Sequence, residues 1–167
     1  MLKMRMSLIL VALAALAANA QAPDPTDGLM NGAQPLPGIT TAGQPDEKSL
    51  ENLSHAGYVA VIDLRTPEED RGFDEKAAVE SRGMKYISLP IGGASGVTYE
   101  NASLLDETLS KIDGPVLVHC ASSNRVGALL SLREKMHGAS TEEALSLGDE
   151  AGLSSLRKTV EARLSEQ

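Results

Sequence analysis

The run Tyr58-Val59-Ala60-Val61-Ile62-Asp63-Leu64 is apolar at every position but one. A strand with one wet face alternates apolar and polar residues, so a run this uniform predicts a strand covered on both faces. Pro115-Val116-Leu117-Val118-His119-Cys120 has the same character, and Ile39–Ala42 and Met84–Leu89 predict two further strands. The segments between them carry helical spacing. Asp46–His55 holds Leu50 and Leu53, and Asn101–Ile112 holds Leu104, Leu105, Leu109 and Ile112. Thr66-Pro67-Glu68-Glu69 offers an N-cap, a proline and a capping-box glutamate, which predicts a helix start that breaks near Gly72. Asp74–Arg82 predicts a fresh amphipathic turn. Val126, Leu129, Leu130 and Met136 predict a helix after the last strand. Two closing helices follow, one capped at Ser140–Glu143 and one lined by Leu153, Leu156, Val160 and Leu164. Strands separated by helices predict an α/β fold with a small, mainly parallel sheet of four to five strands flanked by helices.

The chain starts with Lys3 and Arg5, an apolar run from Leu8 to Ala18, and the small-x-small triplet Ala18-Asn19-Ala20. That is the pattern of a secretory signal peptide over residues 1–20, too short to span a bilayer comfortably. It predicts export to the periplasm or beyond, with no stable membrane insertion after cleavage. Residues 21–37 hold Pro23, Pro25, Pro35 and Pro37 without apolar periodicity, which predicts a flexible tether before a single domain over residues 38–167. The formal net charge is −8 and loses two cations with the leader. An acidic body without a basic run argues against nucleic-acid binding. Any anion site must therefore concentrate donors locally against the field of the whole molecule. The lone cysteine, Cys120, has no partner for an internal disulfide.

Cys120 opens the most informative stretch, His119-Cys120-Ala121-Ser122-Ser123-Asn124-Arg125-Val126-Gly127. It joins a buried strand to a helix start, at the end of a parallel strand where α/β sites form. A tight loop there turns successive N–H groups inward and makes an anion nest, to which the helix end adds partial positive charge. Small residues at 121–124 let the backbone approach a ligand, so Ala121, Ser122, Ser123, Asn124 and Val126 are candidates for substrate binding. Arg125 can fold its planar fork over the hollow and bind two oxygens at once. A thiol in that field is expected to ionise readily and to act as a nucleophile toward a bound phosphoryl group.

The spacing of a cysteine, four residues and an arginine resembles the protein-tyrosine-phosphatase superfamily with one loop residue fewer, and matches the bacterial beta-lactamase-hydrolase-like phosphatase family. Ala42-Gly43-Gln44-Pro45, Val61-Ile62-Asp63-Leu64-Arg65, Tyr86-Ile87-Ser88-Leu89-Pro90 and the stretch from Ala144 to Leu153 are similar to that family's opening turn, second strand, third strand and final helices. The resemblance spans residues 38–164 and implies a dual-specificity-phosphatase-like fold. It implies hydrolysis of phosphate monoesters, with Cys120 and Arg125 as catalytic residues, no cofactor, and a phosphorylated small molecule or protein as substrate. Two departures stand out. Val126 takes a place where many members of the superfamily have Ser or Thr, and Gly92 takes a place where the relatives often have Asp. Asp63, Glu68, Glu69 and Asp70, just after the second strand, are then the candidates for a substitute general acid, against the favoured plainer reading in which Asp63 orients the loop and Glu68 to Asp70 form a solvated helix start. His119 next to the cysteine implies loop support, since a strand neighbour points away from it. His55 and His137 are expected at the surface, and scattered histidines with one cysteine predict no metal site.

Two rivals stay open. Rhodanese-type sulfurtransferases share the loop length and an Asp-x-Arg like Asp63-Leu64-Arg65, and would carry a persulfide on Cys120. A non-catalytic oxyanion-binding module would need the nest and Arg125 alone. The few aromatics, Tyr58, Phe73, Tyr86 and Tyr99, lie away from the loop and predict no deep phosphotyrosine slot. Substrate identity and oligomeric state are not legible.

Overall fold

The structure, a computed structural model, describes residues 24–166. The expected signal peptide and the first residues of the expected tether lie outside that range. Five strands form one sheet: β1 (Ala33–Leu36), β2 (Ile39–Ala42), β3 (Ala60–Asp63), β4 (Lys85–Ser88) and β5 (Val116–His119). Their order is β1-β2-β5-β3-β4, parallel throughout except for β1, which runs antiparallel on the edge. The fold is therefore the mainly parallel α/β sheet the sequence predicts. β5 sits at its centre, and Ala42, Asp63 and Ser88 end their strands level with His119.

Strand alternation divides the core into two layers. Ala60, Ile62, Leu64, Val116, Val118 and Cys120 face one side. They pack there against α3 (Tyr99–Leu109), α4 (Asn124–Met136) and α5 (Thr141–Glu150) through Leu105, Val126, Leu129, Leu130 and Leu147. Val61, Leu117 and Ala42 face the other side, against α1 (Glu47–His55) and α2 (Glu75–Ser81) through Leu50, Leu53 and Val79. α6 (Arg157–Ser165) adds Val160 and Leu164 to a third cluster with Ala128 and Leu132 of α4.

Two expectations change. Ala33–Leu36, inside the stretch read as tether, pairs with β2 as an edge strand, a place where Pro35 costs nothing because no neighbour needs its N–H on the outer side. Thr66–Glu69 starts no helix. The carbonyls a helix would use are taken by side chains: Arg71 donates to the carbonyls of Arg65, Thr66 and Glu69, and Arg65 donates to that of Asp70. The capping-box signal is nonetheless real, since the Glu69 carboxylate accepts from the Thr66 amide at 2.9 Å.

The layer behind α4 is unusually close. A Cβ on Gly127 would lie 2.5 Å from the Leu153 nitrogen and 2.6 Å from the Gly148 carbonyl oxygen. Only glycine lets α5 and the segment after it reach the back of the loop that follows β5.

Candidate active site

Cys120 leaves β5 on the α3–α5 side of the sheet and is 1% exposed. It is packed beneath by Ile62, Leu64 and Val126, yet it lines a pocket of about 410 Å³ together with Glu69, Gly93, Ser122, Asn124, Arg125, Ser155 and Leu156. The pocket lies at the carboxyl ends of the parallel strands. A smaller cleft at their opposite ends is lined by Gly38, Ile39, Asp106, Ser110, Gly114 and Arg133.

After Cys120 the chain turns through Ser123, which adopts left-handed φ of 67° and donates its hydroxyl to the Ala151 carbonyl at 2.7 Å. α4 then begins at Asn124. The amides of Ala121, Ser122, Asn124, Arg125 and Val126 donate to no backbone carbonyl outside α4 among the described residues, and first-turn amides have no partner inside a helix. Those amides are therefore free to donate to an anion, as the nest that the sequence predicts would require. Asn31 braces the loop from outside, its amide donating to the Ser122 carbonyl at 3.1 Å. Asn124 braces it from the other side, its Oδ1 accepting from the amides of Ser154 and Leu156.

The Arg125 guanidinium is shared out edge by edge. Nη1 and Nη2 donate to the two oxygens of Glu69 at 2.6 and 2.7 Å, and Nη1 also donates to the Ile91 carbonyl at 3.0 Å. The other edge, Nε–H and the second Nη2 hydrogen, has no oxygen acceptor among the described residues, and the guanidinium lies beside the Cys120 sulfur. Its charge is felt by the Cys120 sulfur, which together with Glu69 holds the Arg125 proton more firmly than usual. The Arg125 hydrogen bonds push the Glu69 carboxyl down to about 2, so it is a carboxylate at neutral pH.

The remaining candidates separate by position. Ser122 and Asn124 line the pocket. Ala121 does not; its carbonyl accepts from the Gln44 amide. Ser123 and Val126 are buried, and neither side chain reaches the pocket, because one is tied to Ala151 and the other belongs to the core. Glu68 and Asp70 are exposed outside the pocket, and Asp70 caps the Gly72 amide. Asp63 and His119 are fully buried on the α1–α2 side. Asp63 accepts from the Arg65 amide, from Arg71 Nε at 2.7 Å and from the Tyr86 hydroxyl at 2.7 Å. Burial and that bond raise the Tyr86 phenol. His119 Nε2 lies 2.8 Å from Glu75 Oε1, a close contact without the alignment of a good hydrogen bond. Asp63, Glu75 and His119 thus bring their ligand-type atoms within 4.8 Å of one another; Arg65, Arg71 and Tyr86 donate to Asp63 and Gln44 to Glu75 Oε2, while Glu75 Oε1 and His119 Nε2 have no hydrogen-bond partner among the described residues. The sequence signal for Gly93, Ser155 and Leu156 as pocket walls was absent, because they arrive by tertiary contact alone.

Solved structures that share this fold include proteins described as phosphatases. A putative phosphatase of Neisseria meningitidis superposes with a TM-score of 0.69 at 16% identity, over 80% of this chain and 99% of that one. The crystal structure of Pseudomonas aeruginosa TpbA in complex with pTyr superposes with a TM-score of 0.60 at 20% identity, over 86% of each chain. At these identities the likeness is one of fold, that of protein-tyrosine and dual-specificity phosphatases. In sequence, the beta-lactamase hydrolase-like protein of Agrobacterium fabrum is 30% identical over 104 residues, 60% of this chain and 24% of that protein. The chain thus spans about a quarter of the length of the curated relatives it matches. Residues 36–136 match the family described as beta-lactamase hydrolase-like protein, phosphatase-like domain, and the chain belongs to it.

Proposed function

We propose that this chain is an exported cysteine-dependent phosphatase that hydrolyses phosphate monoesters, with Cys120 as nucleophile and Arg125 as oxyanion clamp. The observation that carries the reading is the free edge of Arg125, held by Glu69 on its far side and facing a sulfur at the mouth of an unsatisfied amide nest. A phosphoryl group seated there would accept from the loop amides and from Nε and Nη2 together. The Cys120 thiolate attacks phosphorus in line with the ester oxygen. The S–P bond forms as the P–O bond to the leaving group breaks, and the leaving alkoxide takes a proton from water. Water then attacks the thiophosphate, releasing inorganic phosphate and returning the thiolate. The amides and Arg125 stabilise the equatorial oxygens, where the charge is greatest in the transition state.

Proton supply sets the rate. Glu69 is the one carboxyl group in the pocket, and at neutral pH it has no proton to give. Loss of general-acid assistance costs on the order of 10²–10⁴-fold, so esters with good leaving groups are favoured. The same observation favours a second reading, a module that binds phosphate without turnover. No aromatic residue lines the pocket, so phosphotyrosine, the ligand of the TpbA complex, is not distinguished from small esters by stacking. One assay panel tests the reading. p-Nitrophenyl phosphate, and thiosulfate with cyanide, are offered to the wild type, Cys120→Ser and Arg125→Ala. Phosphate release that both variants lose supports it. Thiocyanate formation replaces it with a sulfurtransferase, and anion binding with no turnover replaces it with the binding module.

A further inference from the structure

The pocket around Cys120 has an unusual charge balance. Arg125 is the only lysine or arginine among the described residues that line it, and Glu69 lies on that one cation with both carboxylate oxygens. Glu69 is not adjustable in the manner of a surface carboxylate. Its oxygens also accept from the Thr66 amide at 2.9 Å and from Arg65 Nε at 3.2 Å, and its side chain is 27% exposed. It is held by three donors from two directions and stays beside the pocket while an anion enters. The whole molecule adds a net charge of −8 around it.

A single phosphoryl group can satisfy this arrangement, because it needs only the loop amides and the free edge of Arg125. A second phosphoryl group attached to the first cannot. It would bring further negative charge toward the fixed carboxylate of Glu69, which Arg65 and Arg125 share, with no second cation among the described residues that line the pocket. Electrostatic selectivity of this kind grows with each charge on the ligand.

We propose that Glu69 is a specificity-determining residue that restricts the pocket to ligands with one phosphoryl group and rejects pyrophosphate and polyphosphate esters. This rests on the reading of the pocket as a phosphate-ester site and adds the class of ester it takes. Glu69 also positions Arg125, so its loss alters the affinity of every anion. The charge effect is isolated by a ratio. Dissociation constants of inorganic phosphate and of pyrophosphate are measured calorimetrically for wild type, Glu69→Gln and Glu69→Asp, with thermal unfolding confirming that each variant is folded. Wild type is expected to bind phosphate more tightly than pyrophosphate. In Glu69→Gln the pyrophosphate-to-phosphate ratio of dissociation constants falls by about tenfold, since removing one nearby charge helps the more highly charged ligand more. In Glu69→Asp, which keeps the charge, the ratio stays near the wild-type value even as both affinities change. An equal shift of both anions in Glu69→Gln, leaving the ratio unmoved, would show that Glu69 only positions Arg125 and would overturn the proposal. So would a wild type that prefers pyrophosphate, or failure of both anions to bind any of the three proteins. The measurement needs no turnover, so an enzyme that proves inactive while its ratio falls as expected refutes hydrolysis and leaves the charge selectivity standing.

Discussion

Cys120 and His119 are neighbours in the chain and sit on opposite sides of the sheet. The sulfur opens on the pocket under α4, while the imidazole is buried against Glu75 at 2.8 Å and Asp63 at 3.7 Å on the α1–α2 side. The alternation of a strand imposes this. His119 is therefore a member of a buried polar cluster with two carboxylates and Arg71, and it does not line the pocket. His119→Ala empties the space of a fully buried imidazole beside two buried carboxylates. Large-to-small changes in a packed interior cost about 2–5 kcal/mol, which chemical denaturation of the variant should show. The folded fraction should retain phosphatase activity within about an order of magnitude of wild type, whereas a lost proton-transfer group would cost on the order of 10²-fold or more.

Acid should weaken the contact between Glu69 and Arg125 in a defined window. The folded protein holds the Glu69 carboxyl down to about 2 from its ordinary 4.5, chiefly through the Arg125 hydrogen bonds. The unfolded chain therefore binds this proton first. The stabilisation is complete above about pH 4.5 and drains away as the pH falls toward about 2. Thermal unfolding of wild type and Glu69→Gln should give a gap in Tm that is constant near neutrality and closes across that window. A gap that stays constant down to the lower limit would mean that the pair contributes no linked stability.

Arg125 should not tolerate lysine. Its role divides between two edges, one bidentate to Glu69 and one free beside Cys120. An ammonium group carries the charge but has no planar fork to serve both. Arg125→Lys is expected to lose on the order of 10²–10³-fold in kcat/KM, the scale of losing an oxyanion donor. A variant within threefold of wild type, roughly half a kcal/mol in transition-state binding, would show that charge alone suffices.

The strands and the Cys120–Arg125 loop were legible because each is encoded locally. Uniform apolar runs specify strands covered on both faces, and small residues between a strand and a helix specify the nest. What escaped depends on partners distant in the chain. Ala33-Gln34-Pro35-Leu36 has no periodicity of its own and becomes a strand only because β2 offers an edge. Thr66–Glu69 carries a true N-cap signal, but Arg65 and Arg71 take the carbonyls a helix would have used. Glu69 was one of four neighbouring acids with equal claim on the proton-donor role. Its pairing with Arg125, 56 residues away, singles it out and also takes away the proton. Ser123 and Val126 lie in the loop but face the core, since the left-handed turn at Ser123 directs its hydroxyl to Ala151.

The edge strand sets where the folded unit begins. A chain starting at Gly38, the boundary the sequence predicts, loses β1, the buried Leu29 and the Asn31 contact to Ser122. It also leaves β2 as an open edge, available to pair with other chains. That truncation is expected to unfold at lower temperature and to aggregate more readily than one starting at Asp24. Equal Tm values and equal light scattering for the two would show that residues 24–37 contribute nothing to the fold.

Gly127 tests whether the support behind the loop matters to the site. It is the fourth residue of α4, two after Arg125, and a methyl group there would meet the Leu153 nitrogen at 2.5 Å and the Gly148 carbonyl at 2.6 Å. Both are backbone atoms, so no side-chain rotation relieves the clash, and α5 with the segment behind it must move. Overpacking of this kind costs about 1–3 kcal/mol. The displaced segment contains Ala151, which accepts from Ser123, and it continues into Ser154 and Leu156, whose amides hold Asn124. Gly127→Ala should therefore lower Tm and, in the protein that remains folded, weaken phosphate binding as the nest loses both anchors. Gly138→Ala serves as the comparison. Gly138, unlike Gly127, has positive φ, and nothing lies within 4 Å of the added methyl group, so it should lose stability through backbone strain and leave phosphate affinity unchanged. If the two variants lose phosphate affinity equally, the contact between α4 and the segment after α5 does not hold the nest.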